Sequence, residues 1–153
     1  MKTIVIQRHS ENLDGIKAAV AEINNARAEE IIYTPDPQKV LQEVRGEDSM
    51  TIVSGQVLSG TIYWGTDLAR QIKKTNPKAL FFIYSVMPER NESVDGIIPK
   101  EDGTIGTGEH SLLARVLTSD LEHATPRGVK TAFPEILILE KGSAVTYVVE
   151  NDF

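Results

Sequence analysis

Arg8, His9 and Ser10 follow directly on the β-branched run Thr3 to Ile6, which places a cation, an imidazole and a hydroxyl just past an apolar segment. An imidazole can take up a phosphoryl group when arginines hold the phosphate and a second histidine stands within reach. Of the other histidines, His110 and His123, only His110 is a candidate partner for His9, and it follows a glycine-rich loop instead of a strand. The three histidines have no metal-ligand spacing. With no cysteine in the chain, thiol nucleophiles, thiolate metal sites and redox switching are excluded. Gly103-Thr104-Ile105-Gly106-Thr107-Gly108 precedes a helical pattern, and its backbone amides suit an anion. It lacks the lysine and the Ser/Thr of a phosphate-binding loop. No nucleophile-elbow motif appears. Trp64 reads as a packing residue at a helix start. No cofactor and no metal are called for.

The elements that must carry these residues alternate in type. Thr3 to Ile6 reads as a strand buried on both faces. A helix capped by Asn12 or Asp14 follows, with Leu13, Ile16, Val20 and Ile23 on one stripe. Ile31 to Tyr33 is a second strand, and Thr34-Pro35-Asp36-Pro37 ends it and starts a helix, Pro37 suiting the first helical position. Met50 to Val53 is a third strand, followed by a Gly/Ser-rich loop from Ser54 to Gly60 and a helix with Leu68, Ala69 and Ile72 that stops at Asn76-Pro77. Leu80 to Tyr84 is the most hydrophobic strand, and Gly96 to Ile98 is a fifth. The loop from Pro99 to Gly108 leads to a helix with Leu112, Leu113, Val116, Leu117 and Leu121, ending near Glu122-His123. After a turn-rich stretch from Ala124 to Lys130, Ile136 to Leu139 and Ala144 to Val149 flank Glu140-Lys141-Gly142-Ser143 as a β-hairpin. Alternating strands and helices predict a doubly wound parallel sheet of five strands, order 2-1-3-4-5, joined by right-handed crossovers. The predicted division is a core of residues 1–123 and a hairpin extension of residues 124–153.

At 153 residues one domain with a small appendage is expected. Hydrophobic residues at 41% and charged residues at 25% match a folded globular chain and not a disordered one. The net charge of −6 disfavours nucleic acid and acidic membrane as partners, since no basic patch overrides it. The N-terminal apolar run is too short for a secretory signal, and no stretch reaches the length of a transmembrane helix, so a cytoplasmic protein is expected.

Trp64-Gly65-Thr66-Asp67-Leu68-Ala69-Arg70-Gln71-Ile72-Lys73, followed by Pro77 and an apolar strand, resembles the third-helix motif of the receiver domain of bacterial two-component response regulators. Gly96-Ile97-Ile98-Pro99-Lys100 is similar to that family's fifth strand. The resemblance spans Met1 to about His123 and implies a flavodoxin-like fold. It places Ser85 at the family's switch Ser/Thr position and Lys100 at its phosphate-contacting lysine. Phosphoryl transfer to an aspartate also needs that nucleophile and a carboxylate pair holding Mg²⁺. Here the first strand ends in Gln7-Arg8-His9-Ser10 and the third in Ser54-Gly55-Gln56-Val57, without a carboxylate. Glu11 alone makes a weak Mg²⁺ site. Val86 to Asp95, where the family carries a fourth helix, is ten residues long and interrupted by Pro88.

The expectation is therefore a pseudo-receiver: a regulatory protein-interaction module without enzymatic activity, whose partner is unidentified. Arg8, Ser85 and Lys100 are the expected lining of a ligand or anion pocket at the carboxyl edge of the sheet. The alternative rests on Arg8-His9-Ser10-Glu11, which resembles the opening Arg-His-Gly-Glu of the histidine phosphatase superfamily and would make His9, with Arg8, the catalytic pair. The alternating apolar residues Ile136, Ile138, Tyr147 and Val149 further suggest a homodimer formed through the hairpin.

Overall fold

The computed structural model describes residues 2–23, 30–44, 46, 49–58, 60, 62–85, 93–100, 110–121 and 124–138. The elements run β1 (Lys2–Ile6), α1 (Ser10–Ile23), β2 (Ile31–Thr34), α2 (Pro37–Glu43), β3 (Met50–Ser54), α3 (Gly65–Thr75), β4 (Leu80–Ser85), β5 (Gly96–Pro99), α4 (Ser111–Thr118), α5 (Pro126–Ala132) and β6 (Leu137–Ile138). Their strands form one sheet in the order β2-β1-β3-β4-β5-β6. The first five strands pair in parallel, in the predicted order. β6 pairs antiparallel with β5, Gly96 opposite Ile138 and Ile97 opposite Leu137.

Burial on both faces explains why these strands read as continuous apolar runs. Val5, Val53, Phe82, Tyr84 and Ile98 face a core shared with Leu13, Ile16 and Val20 of α1, and with Leu112, Leu113, Val116 and Leu117 of α4. Ile4, Ile6, Ile52, Phe81, Ile83 and Ile97 face the other core, with Val40 of α2 and Leu68, Ala69 and Ile72 of α3. Successive strand residues thus alternate between two helical layers. α2 starts as its sequence requires: the Asp36 carboxylate accepts from the Gln38 amide at 2.9 Å, and Pro37 fills the first turn. Gly96 allows the close approach of three strands, because a Cβ there would lie 2.8 Å from the Leu137 carbonyl oxygen and 3.1 Å from the Phe82 ring.

Two boundaries and one element differ from the sequence expectation. α1 begins at Ser10, with the His9 carbonyl accepting the amides of Asn12 and Leu13, so its entry lies upstream of Asn12 and Asp14. α4 ends at Thr118: the Thr118 hydroxyl turns back onto the Ala114 carbonyl at 2.8 Å and Ser119 takes the C-cap in extended conformation. The segment expected to be turn-rich contains α5, whose Thr125 hydroxyl accepts from the Gly128 amide at 3.1 Å with Pro126 at the start of the helix. α5 buries only Val129, too little for an apolar stripe to show.

Val129, Phe133, Ile136 and Ile138 join the same buried cluster as α1 and α4. The first strand of the expected hairpin therefore docks on its own sheet. Its second strand at Ala144 to Val149, and with it the expected homodimer contact, lies outside the described residues, as do the glycine-rich loop at 103–108, His123 and positions 86–92 of the short crossover.

Candidate functional site

The parallel strands end together at their carboxyl edge, where a depression of about 320 Å³ opens. Gln7, Arg8 and His9, which follow β1, line it with Asn12 from the first turn of α1. Gly55, Gln56 and Val57 enter from the end of β3, and Tyr63 from the loop before α3. Tyr84 and Ser85 close β4, and Lys100 follows β5. The pairing explains the convergence: Ile6 lies opposite Ser54, Ser54 opposite Ile83, and Ser85 opposite Pro99, so the next residues of each strand emerge side by side.

The three residues singled out from sequence, Arg8, Ser85 and Lys100, share this depression with His9. The Ser85 hydroxyl donates to the Gln56 side-chain oxygen at 3.2 Å, and the Lys100 ammonium stands 5.9 Å from the centre of the Tyr84 ring. Among the described lining residues none is a carboxylate.

Gln7 and Gly55 occupy the ends of β1 and β3, and their relation is steric. Gln7 is 5% exposed, and a Cβ on Gly55 would stand 3.3 Å from its side-chain oxygen and 3.4 Å from its nitrogen. The amide thus lies against the space that a side chain at position 55 would enter. Gly55 is itself fixed: its amide donates to the Ile6 carbonyl at 2.9 Å, and the Gly55 carbonyl accepts from the Ser54 hydroxyl at 2.7 Å. Gly65, at the start of α3, packs so closely that a Cβ there would fall 2.3 Å from that carbonyl oxygen, which no side chain can do. α3 therefore begins with glycine for a packing reason.

His110 does not line the depression. It is buried at the N-cap of α4, with Nδ1 2.7 Å from the Tyr84 hydroxyl and Nε2 3.0 Å from where a Cβ on Gly15 would sit. His9, by contrast, is exposed at the entry to α1. The two imidazoles are thus not gathered around one cavity: one is at the rim, and the other is packed between α1 and the end of β4. Among the described residues no cluster of three His, Asp or Glu side chains is placed to hold a metal.

Sequence reasoning missed Gln7, Tyr63 and Tyr84 as lining residues. Gln7 carried a usable signal, since it is the first polar residue after β1. Tyr63 and Tyr84 reach the site through tertiary placement that no local pattern encodes. A larger cavity of about 440 Å³ lies at the opposite edge, among Met50, Lys73, Leu80, Asp95, Leu121 and Pro126. It is away from the strand ends that gather the polar groups.

An adenylate cyclase from Rhodopirellula baltica superposes with a TM-score of 0.52 over 88% of this chain and 93% of the other, at 8% identity. The RcsB response regulator of Salmonella typhimurium superposes with a TM-score of 0.51 over 98% of this chain and 70% of the other, at 15% identity. The fold is receiver-like. No protein-family model and no curated protein matches the sequence, so the likeness is one of architecture.

Proposed function

We propose that this chain is a receiver-like regulatory module of signal transduction that acts by binding a protein partner and does not accept a phosphoryl group on an aspartate. One observation carries the reading. The ends of β1 and β3 present Gln7, Arg8 and Gly55, and the Gln7 amide lies against the space a side chain at position 55 would need. In-line transfer to a carboxylate requires the nucleophile at that place and a metal to neutralise the transferring group. A guanidinium beside the site opposes the metal by like charge, and a glycine offers no nucleophile. What remains is a rigid doubly wound scaffold whose loops are free to specialise for recognition.

Incubation with acetyl phosphate and Mg²⁺, read by intact-mass spectrometry, tests the proposal. The expected spectrum is that of the unmodified chain. A phosphoryl adduct mapped to any aspartate overturns it.

A further inference from the structure

Two polar side-chain atoms are buried without a hydrogen-bond partner among the described residues: Thr51 Oγ1, within β3, and Gln7 Nε2, at the carboxyl-edge depression. A buried amide donor left unsatisfied costs about 1 to 3 kcal/mol, and such groups in folded proteins call for a partner that completes them. Thr51 is enclosed by strands on either side. Gln7 faces a depression with room for a ligand, and Gly55 beside it has no side chain to stop the amide turning outward.

The surroundings of Gln7 say what that ligand is. Arg8 follows β1 and Lys100 follows β5, the strands that flank β3 and β4 in the sheet, so cations border the depression from both sides. His9 and Asn12 also line it, which sets the amino end of the fourteen-residue helix α1, with its positive dipole end, on the same rim. Amide and guanidinium donors past the end of β1, together with an ammonium past the end of β5, match the several oxygens of a tetrahedral phosphoryl group better than a planar carboxylate, which one bidentate arginine satisfies. We infer that this depression is a non-covalent, Mg²⁺-independent site for the phosphoryl group of a small phosphorylated molecule, held by the Gln7 amide, the Arg8 guanidinium and the Lys100 ammonium. The inference rests on the reading that no covalent acceptor is present. Ser85, already donating to Gln56, borders the site. Binding there would give a regulatory module an input that needs no kinase.

The test is a titration of the 153-residue chain with inorganic phosphate in EDTA-containing buffer at constant ionic strength, followed by ¹H–¹⁵N spectra. The expected result is saturable shifts of the Gln7 side-chain NH₂ and of the backbone amides around Arg8 and Gly55. Acetate should bind more weakly. Arg8→Gln, at an exposed position, should weaken phosphate binding about tenfold or more, the worth of one charge-assisted hydrogen bond, and Gln7→Leu should do the same. Lys78→Gln, at the opposite edge, should leave it unchanged. Should Gln7→Leu fail to fold, Arg8→Gln alone decides. Shifts that do not saturate, or saturable binding equal in Arg8→Gln, overturn the site. Acetate binding as tightly as phosphate overturns its phosphoryl assignment. A chain that binds no phosphate and gains no mass with acetyl phosphate contradicts this inference and leaves the regulatory reading standing, whereas an aspartyl adduct contradicts that reading first.

Discussion

Tyr33, on β2, shows how burial alone sets a titration. Removal from water penalises its phenolate and pushes the phenol up to about 12, against the ordinary value of 10.0. The unfolded chain loses this proton near pH 10 while the folded chain keeps it to about 12. The folded state binds the extra proton across that window, so stability falls as pH rises from about 10 to 12. Ultraviolet titration of the tyrosinate band, compared with Tyr33→Phe, should show a late step present only in the native sequence. If the difference spectrum instead titrates near 10, burial of this phenol is not what the structure shows. At the same scale, Arg8, Ser85 and Lys100 were legible from sequence because each stands one or two positions past an apolar strand, where chain order alone puts it at the carboxyl edge. Gln7 against Gly55, and Tyr84 against His110, were not. They depend on which strands become neighbours and on where a glycine leaves space.

Elements with a wide apolar stripe announced themselves. α1 and α3 bury Leu13, Ile16 and Val20, and Leu68, Ala69 and Ile72, at helical spacing. α5 did not, since seven residues with a single buried valine give no period, and the cap carries what the stripe does not. The Thr125 hydroxyl satisfies the Gly128 amide, and the helix positions Phe133 and β6 against the main core. Thr125→Ala should therefore cost about 1 kcal/mol, within the range for lost N-caps, seen as a lower urea midpoint at an unchanged m-value. An unchanged midpoint would mean that the cap contributes nothing. β6 has a wider consequence. By pairing with β5 it takes a strand edge that would otherwise be open to another chain, so removal of residues after Lys130 would strip Phe133, Ile136 and Ile138 from the core as well as any contact between copies.

Across the whole molecule, a parallel sheet covered on both faces presents its strand ends as one row of loops, and the sequence decides what that row does. Here it presents an amide, a glycine, a hydroxyl and cations, with no carboxylate among the described lining residues. The fold order was readable because alternating strands and helices leave few topologies open, whereas which side chains meet at the strand ends depends on strand neighbours that no local pattern states. We propose that the carboxyl edge of this receiver-like scaffold, bordered by Arg8 and Lys100 and without a carboxylate among its described lining residues, repels a divalent metal. A Mg²⁺ titration of the 153-residue chain followed by ¹H–¹⁵N spectra, with sodium chloride at matched ionic strength as reference, decides this. Gln7, Gly55, Ser85 and Lys100 should respond no differently to the two salts; a saturable Mg²⁺-specific shift confined to those residues would show that the edge holds a metal after all.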